Sequence, residues 1–105
     1  MSDYNKIVII GNLVNDPEMR FTVEGKAVTK FRIASNGYKK EDVTFVPIVC
    51  FGKTAKIAGE LFKKGKKVLI DGRLSIKQFD GQNGEKKSFT EIIANELQIL
   101  AKKGD

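Results

Sequence analysis

The stretch Val43 to Lys53, VTFVPIVCFGK, decides the fold, because it alternates like a β-strand and yet is apolar on both sides. Successive strand residues point to opposite faces. One face suits a core and carries Thr44, Val46, Ile48 and Cys50. The other face carries Phe45, Pro47, Val49 and Phe51. Its two phenyl rings need a different role: a subunit contact, packing under a helix, or a platform on which bases stack.

A helical pattern follows this strand directly. Gly52-Lys53 ends the strand, and Thr54 to Lys64, TAKIAGELFKK, then repeats apolar residues at helical spacing. We expect a short helix with Thr54 as N-cap and Gly65 as C-cap, which closes one end of a barrel. Its apolar stripe is Ile57, Ala58, Leu61 and Phe62, and the Phe62 ring is expected in the core.

Four more stretches alternate as strands. Two precede Val43 to Lys53 in the chain and two follow it. They are Tyr4 to Leu13, Val28 to Asn36, Lys67 to Asp80 and Ser88 to Leu100, whereas Met19 to Val23 is only short and extended. The sequence therefore predicts a single all-β domain over residues 1–105. The expected architecture is a five-stranded OB-fold barrel with one short helix between strands three and four.

Individual residues within these strands predict local geometry. Pro47 gives a sheet no N–H, which indicates an edge strand or a bulge. Gly72 interrupts the long strand and would permit the bend that a small closed barrel needs. The residues of that strand expected to face inward are Val68, Ile70, Leu74 and Ile76.

The first strand is apolar on both faces, with Ile7 and Ile9 on one and Val8 and Ile10 on the other. Such a strand is buried on both faces. In a small domain this favours a subunit interface, and an interior strand is the alternative.

Composition limits the classes of function. The chain has 105 residues, 41% of them hydrophobic and 30% charged, which suffices for one domain with a core. No run of about 18 apolar residues and no signal pattern is present, so a cytoplasmic location is expected. The one cysteine, Cys50, lies within the strand pattern and is expected to be a small buried apolar residue.

The sequence offers no catalytic motif. It contains no histidine, which is the commonest general base and metal ligand. It also lacks a glycine-rich phosphate loop and paired cysteines, so we expect no enzymatic activity, no cofactor and no metal site. A net charge of +6 and a pI near 9.5 fit a polyanionic partner, although a merely basic protein would look the same.

A set of outward aromatic and basic residues indicates nucleic-acid binding. The rings on outward strand positions are Phe45, Phe51 and Phe79, and Tyr38 lies in the preceding loop. The outward cations are Lys30, Arg32, Arg73 and Lys77. Rings stack on bases at about 1–3 kcal/mol each, and cations neutralise phosphates. Only three of the 19 basic residues are arginines, so we expect weak sequence preference. The alternatives are core or interface positions for the rings and a solvated face for Lys30 and Arg32.

The chain resembles the bacterial single-stranded-DNA-binding protein family over about residues 4–100. The matching segments are KIVIIGNLVNDPEMRFT, KAVTKFRIASN, VCFGKTAKIAGELFKKG, VLIDGRLSIKQF and FTEIIANELQIL. The resemblance implies a homotetramer of OB-folds without enzymatic activity or cofactor. Such a protein binds and protects single-stranded DNA during replication, recombination and repair, and it would be cytoplasmic and nucleoid-associated.

The resemblance also implies roles for particular residues. The family's stacking aromatics fall on Phe45, Phe51 and Phe79, and less securely on Tyr38. Its DNA-contacting cations fall on Lys53 and Lys77. Its first strand pairs across a dimer interface, which here comprises Asn5, Lys6, Ile7, Val8, Ile9 and Ile10.

The sequence departs from the family pattern in three ways. The tryptophans common at the stacking positions are Phe or Tyr here, and Pro47 replaces a residue that is usually polar or basic. The family usually continues into a Gly/Pro/Gln-rich linker and an acidic tip, whereas this sequence stops after Ala101 to Asp105. Partners that depend on such a tail are therefore not expected for this form.

Two other functions share this fold. A replication-restart adaptor would act mainly by protein contacts, but it would be expected to lose the outward aromatics that this sequence keeps. A cold-shock-like RNA binder is the third possibility, and the helix after Phe51 argues against it.

Overall fold

The computed structural model describes residues 3–100 and contains six strands and one helix. These elements are β1 (Ile7–Leu13), β2 (Glu18–Phe21), β3 (Ala27–Asn36), β4 (Val43–Phe51), α1 (Gly52–Leu61), β5 (Lys67–Asp80) and β6 (Lys86–Ile99). The terminal stretch from Ala101 to Asp105, on which the expectation about a tail rests, lies outside the described residues.

Five of the strands close into a ring in the order β1-β5-β6-β4-β3. The ring closes because the end of β1 pairs with β3, with Asn12 opposite Ala34 and Leu13 opposite Ile33. This closed sheet with one helix is the OB-fold that the sequence predicted.

The strand count was wrong by one. The short extended segment predicted at Met19 to Val23 is the strand β2, which pairs with the first half of β3 and lies outside the ring. The helix therefore lies between the fourth and fifth strands. Its place in the chain, after Phe51, is as expected.

Gly72 permits the sharpest departure from regular pairing. The register of β5 with β6 shifts between Asp71 and Gly72. A Cβ atom at Gly72 would collide with the carbonyl oxygen of Ile93 on β6, so the two backbones approach where only glycine fits. The register shift therefore lies at the glycine for which the sequence predicted a bend.

The barrel interior is filled by alternate residues of the ring strands and by one side of α1. Fully buried residues include Ile33, Ile48, Cys50, Val68, Ile70 and Ile92. The ring of Phe62 meets that of Phe31 edge to face, with centroids 5.5 Å apart and planes at 74°. The buried Thr29 hydroxyl donates to the Ala55 carbonyl over 2.6 Å, which ties α1 to β3. Phe62 and Cys50 are thus core residues, as predicted.

The predicted boundaries of α1 were wrong. Gly52 has a φ of +63°, so the chain turns into the helix directly after the strand, and Phe51 rather than Thr54 is the N-cap. Phe62, rather than Gly65, is the C-cap, because its backbone is already extended where its ring enters the core. Gly65 lies in the following turn and donates its N–H to the Leu13 carbonyl over 2.8 Å.

Only half of the predicted helical stripe is buried. Ala58 and Phe62 contact the core, whereas Ile57 and Leu61 are 39% and 54% exposed. The end of the barrel therefore covers only the side of α1 that carries Ala58 and Phe62. The side that carries Ile57 and Leu61 is turned away from the core.

Leu74 and Ile76 do not face a packed interior, contrary to prediction; they are 39% and 56% exposed. They have the same parity as buried Ile70, but β1 pairs with β5 only as far as Ile7 opposite Gly72. Beyond that point β1 no longer pairs with β5, and β5 and β6 continue as a two-stranded arm from Arg73 opposite Ile93 to Asp80 opposite Lys86.

Pro47 lies on an interior strand rather than an edge. Its pairing with Arg32 of β3 continues the register without a bulge. The parallel pairing of β4 with β6 comprises only Ile48 and Val49, directly after Pro47. A residue without an N–H is tolerated there because the contact with β6 has not yet begun.

Between residues 3 and 100, no helix is long and apolar enough to cross a membrane.

Candidate nucleic-acid interface

The register of β3 with β4 places basic and aromatic side chains on one surface. Residues directly opposite each other in a sheet point to the same face. Lys30 lies opposite Val49, and Phe51 lies opposite Val28. Since the alternate residues of both strands fill the core, these side chains form the outside of the barrel.

The same surface continues onto the arm. Val49 lies opposite Ile93 of β6, and Ile93 lies opposite Arg73 of β5. Lys77 lies opposite Phe89 further along the arm. We call this continuous surface the outer face; it carries Lys30, Arg32, Phe45, Val49, Phe51, Arg73, Lys77, Phe79, Phe89 and Glu91.

The rings on the outer face are about half exposed. The fractions are 57% for Phe45, 50% for Phe79, 45% for Phe89 and 40% for Phe51. A ring at such a position keeps one π-surface open for a partner while its other side is supported by the sheet. The Lys26 ammonium lies 5.4 Å from the centroid of the Phe51 ring, which adds a positive charge beside that ring.

Two shallow hollows on the outer face lie on either side of Phe89 and Glu91. The first, of about 150 Å³, is lined by Asn15, Glu18, Lys30, Phe31, Arg32, Pro47, Ile48, Phe89 and Glu91. The second, of about 330 Å³, is lined by Val28, Lys30, Val49, Phe51, Lys77, Phe89 and Glu91. Lys30 borders both, so the sheet brings a cation from β3 next to a ring and a carboxylate from β6.

Three predicted site residues therefore meet in one hollow: Lys30, Phe51 and Lys77. Arg32 lines the neighbouring hollow. Phe45, Phe79 and Arg73 share the outer face but line neither hollow.

Two other predicted site residues do not lie on the sheet. Lys53 is exposed in the first turn of α1, directly after Phe51. Tyr38 is fully exposed in the connection between β3 and β4. That connection is closed by the Gly37 N–H, which donates to the Asp42 carbonyl over 2.6 Å.

Phe89 and Glu91 belong to the outer face and were not among the predicted site residues. The alternation of the last strand could have identified them. Phe89 and Glu91 alternate with Thr90 and Ile92, and Ile92 is fully buried, so Phe89 and Glu91 point outward. Glu91 is only 7% exposed, and its carboxylate lies 3.6 Å from the Lys77 ammonium.

The predicted interface strand has one open edge. Leu13 donates its N–H to Lys66 on the β5 side, whereas Val14 donates to Arg32 on the β3 side. By this alternation, the backbone groups of Val8 and Ile10 point away from β5. Pairing of β1 with β3 involves only Asn12 and Leu13, so within the described chain that edge is open over Val8 and Ile10.

The side chains of this strand divide as predicted. Ile7 and Ile9 pack against the core, whereas Val8 and Ile10 are 54% and 42% exposed on the other side. The two residues before this strand, Asn5 and Lys6, contact β5 of the same chain. The Asn5 side chain exchanges hydrogen bonds of 2.8 and 3.0 Å with the Leu74 backbone, and Lys6 lies 3.4 Å from Asp71.

Within the part of the chain that the structure describes, no group of three or more potential metal-ligating side chains lies together.

The model of the family described as "Single-strand binding protein family" matches residues 4–100 of this chain. The chain is 43% identical to the single-stranded DNA-binding protein of Wolinella succinogenes over 108 residues, which is 96% of this chain and 67% of the relative. It is 39% identical to the protein of that name from Helicobacter hepaticus, over 95% of this chain and 63% of the relative. The same name is carried by a protein of Xanthomonas campestris pv. campestris, 37% identical over 96% and 63%. The chain thus spans about two thirds of the length of these relatives.

Proposed function

Because the chain belongs to the single-strand binding protein family, we propose that it binds single-stranded DNA across the outer face with little sequence preference. The observation that carries this proposal is the continuity of the face. Half-exposed rings from three strands alternate with cations on one surface.

In this proposal the rings and the cations have separate roles. Phe45, Phe51 and Phe79 stack on bases, as does Phe89. Every base has a π-face, so stacking tolerates any sequence. The cations that neutralise phosphates are Lys30, Arg32, Lys53, Arg73 and Lys77, and Tyr38 offers a further ring from its loop. A duplex hides its base faces, so binding favours single strands.

The biological role follows from this mode of binding. The chain acts by covering unpaired DNA during replication, recombination and repair, and it carries out no reaction of its own. We propose that it does so in the cytoplasm, at the nucleoid.

We further propose that the chain assembles as a homotetramer. Support comes from β1, whose open edge carries the exposed side chains of Val8 and Ile10. Open strand edges are sites at which another chain adds to a sheet. Pairing of two β1 edges would bury these apolar residues and satisfy their backbone groups.

The test is a titration of the intrinsic tyrosine fluorescence with oligo-dT, oligo-rU and duplex DNA. We expect tight binding to oligo-dT and binding to duplex that is weaker by orders of magnitude. Comparable affinity for duplex would contradict the proposal, whereas preference for oligo-rU would indicate an RNA binder of the same fold.

The same titration at several salt concentrations tests the cations. The logarithm of the affinity should fall linearly with the logarithm of the salt concentration, by about 0.7 for each phosphate neutralised on a single strand. The variant Lys77→Ala should lose somewhat less than one unit of this slope. Lys66→Ala, which removes an exposed charge from the turn before β5, at the end of that strand opposite the arm, serves as the control and should leave the slope unchanged.

A further inference from the structure

A carboxylate lies in the middle of the basic outer face. Glu91 is 7% exposed, and its ion-pair partner in the described chain is Lys77, whose ammonium lies 3.6 Å away. That distance exceeds the usual range for an N–H···O hydrogen bond. A carboxylate can accept about four hydrogen bonds, and no buried side-chain oxygen among the described residues lacks a partner, so the Glu91 oxygens reach the two hollows that this residue lines. Glu91 therefore offers acceptor capacity to a molecule that enters these hollows.

The bound strand contains two kinds of groups, and only one can approach this carboxylate. Phosphates are anionic and accept hydrogen bonds, so Glu91 repels them. Base edges carry N–H donors that a carboxylate accepts. The backbone is therefore expected to follow the surrounding cations, while a base turns its edge toward Glu91.

The neighbours of Glu91 support a base at this position. Phe89 and Lys30 line both hollows together with Glu91. Phe89 is half exposed, and the next outward residue of β6 is Glu91, so a base stacked on the Phe89 ring would turn its edge toward Glu91. Lys30 then lies within the same hollow to meet the phosphate of that nucleotide.

We propose that Glu91 is a base-edge acceptor that makes this one subsite prefer bases with an exocyclic amino group over thymine. Cytosine, adenine and guanine each present an exocyclic amino donor, whereas thymine has carbonyl oxygens at the equivalent positions and keeps only its ring N3–H as a donor. The preference adds to a face that is otherwise tolerant of sequence, and it rests on the proposed binding of single-stranded DNA.

The experiment compares two oligonucleotides that differ only at this edge. Oligo-5-methyl-dC and oligo-dT share the ring size, the methyl group and the backbone, but only the former carries an amino group. Their relative affinity is measured for the wild type, for Glu91→Gln and for Glu18→Gln. Glu18 is an exposed carboxylate that lines the first hollow, so its variant removes one negative charge from the same region.

We expect both variants to bind oligo-dT more tightly, because each loses a charge that repels phosphate. Only Glu91→Gln should lower the ratio of 5-methyl-dC to dT affinity, by roughly five- to tenfold, since one charge-assisted hydrogen bond is lost and the new amide donates to thymine O4. Equal ratios in the wild type and both variants would overturn the proposal. Failure of the wild type to bind either oligonucleotide would instead overturn the proposed function.

A second measurement requires no substitution in the protein. N4,N4-dimethylation of the 5-methyl-dC oligonucleotide removes both amino donors and leaves the ring in place. The wild type should then bind it several-fold more weakly than the unmethylated oligonucleotide. Unchanged affinity would show that no donor at this edge is recognised.

Discussion

At the scale of single residues, the outer face depends on rings that contribute little to folding. Phe45 and Phe79 are each at least half exposed and lie outside the core cluster. Their π-surfaces are therefore free to stack on bases, and their removal leaves no cavity in the barrel.

Phe45→Ala and Phe79→Ala should each weaken binding to oligo-dT by about 1–3 kcal/mol. The free energy of unfolding should change by only about 0.5 kcal/mol, because surface substitutions rarely do more. Fluorescence titration and thermal unfolding measure the two quantities. Phe21→Ala is the matched control, since that ring is 61% exposed on β2 but points away from the outer face. Equal losses in all three variants would show that these rings form no specific platform.

Cys50 gives a second prediction at this scale. Burial raises the pKa of its thiol from 9.0 to about 12, because the folded core disfavours the thiolate. The contribution of this group to stability is fully present below pH 9.0 and is lost as the pH rises toward 12.

The folded protein should therefore react slowly with a thiol reagent at pH 8, and urea should accelerate the reaction to the rate of a free thiol. The variant Tyr38→Cys in a Cys50→Ala background supplies an exposed thiol for comparison and should react rapidly without urea. Rapid modification of native Cys50 would mean that the core opens at this strand.

At the scale of elements, the barrel depends on the close approach of β5 and β6. The Gly72 position has no room for a Cβ atom because the Ile93 carbonyl oxygen lies there. A Cβ is fixed to its own backbone and the carbonyl belongs to the backbone of β6, so neither can rotate away. The register shift beside Gly72 lets the arm leave the barrel wall while β5 and β6 stay paired.

Gly72→Ala should lower the free energy of unfolding by about 3 kcal/mol, since overpacking against the backbone displaces a ring strand. Urea denaturation monitored by circular dichroism measures this. Gly59→Ala is the control: its Cβ would meet the flexible Met19 side chain at 3.0 Å, and alanine favours a helix, so the change should stay within about 1 kcal/mol. Similar effects at both sites would rule out the collision as the cause.

At the scale of the whole molecule, the two outer surfaces of the protomer have different compositions. The outer face carries cations and rings, whereas the exposed side of β1 carries Val8 and Ile10 beside an open strand edge. The proposed DNA-binding surface and the proposed assembly surface can therefore be changed separately.

Sedimentation should show a tetramer for the wild type, and Val8→Lys should dissociate it, because an unpaired charge is costly to bury in an interface. The protomer should stay folded, since Val8 is 54% exposed in the isolated chain. Val23→Lys places a charge at a fully exposed position and should leave the tetramer intact. A wild-type monomer at micromolar concentration would contradict the assembly.

The sequence by itself determined the five ring strands and which side chains of a strand share a face. Period-two alternation identified the five ring strands and assigned Phe45, Phe51, Lys30 and Lys77 to outward positions, because side-chain direction in a strand is a local property. The family segments identified the fold and the family for the same reason: they are read along the chain.

Only the tertiary structure decided which outward residues meet. Alternation does not say which strands become neighbours, so the meeting of Lys30, Phe89 and Glu91 depended on the pairing of β4 with β6. Alternation also does not say where the barrel wall ends, which is why Leu74 and Ile76 have inward parity and yet stay exposed. Burial is set by what lies above a side chain in space, and distant parts of the chain supply that neighbour.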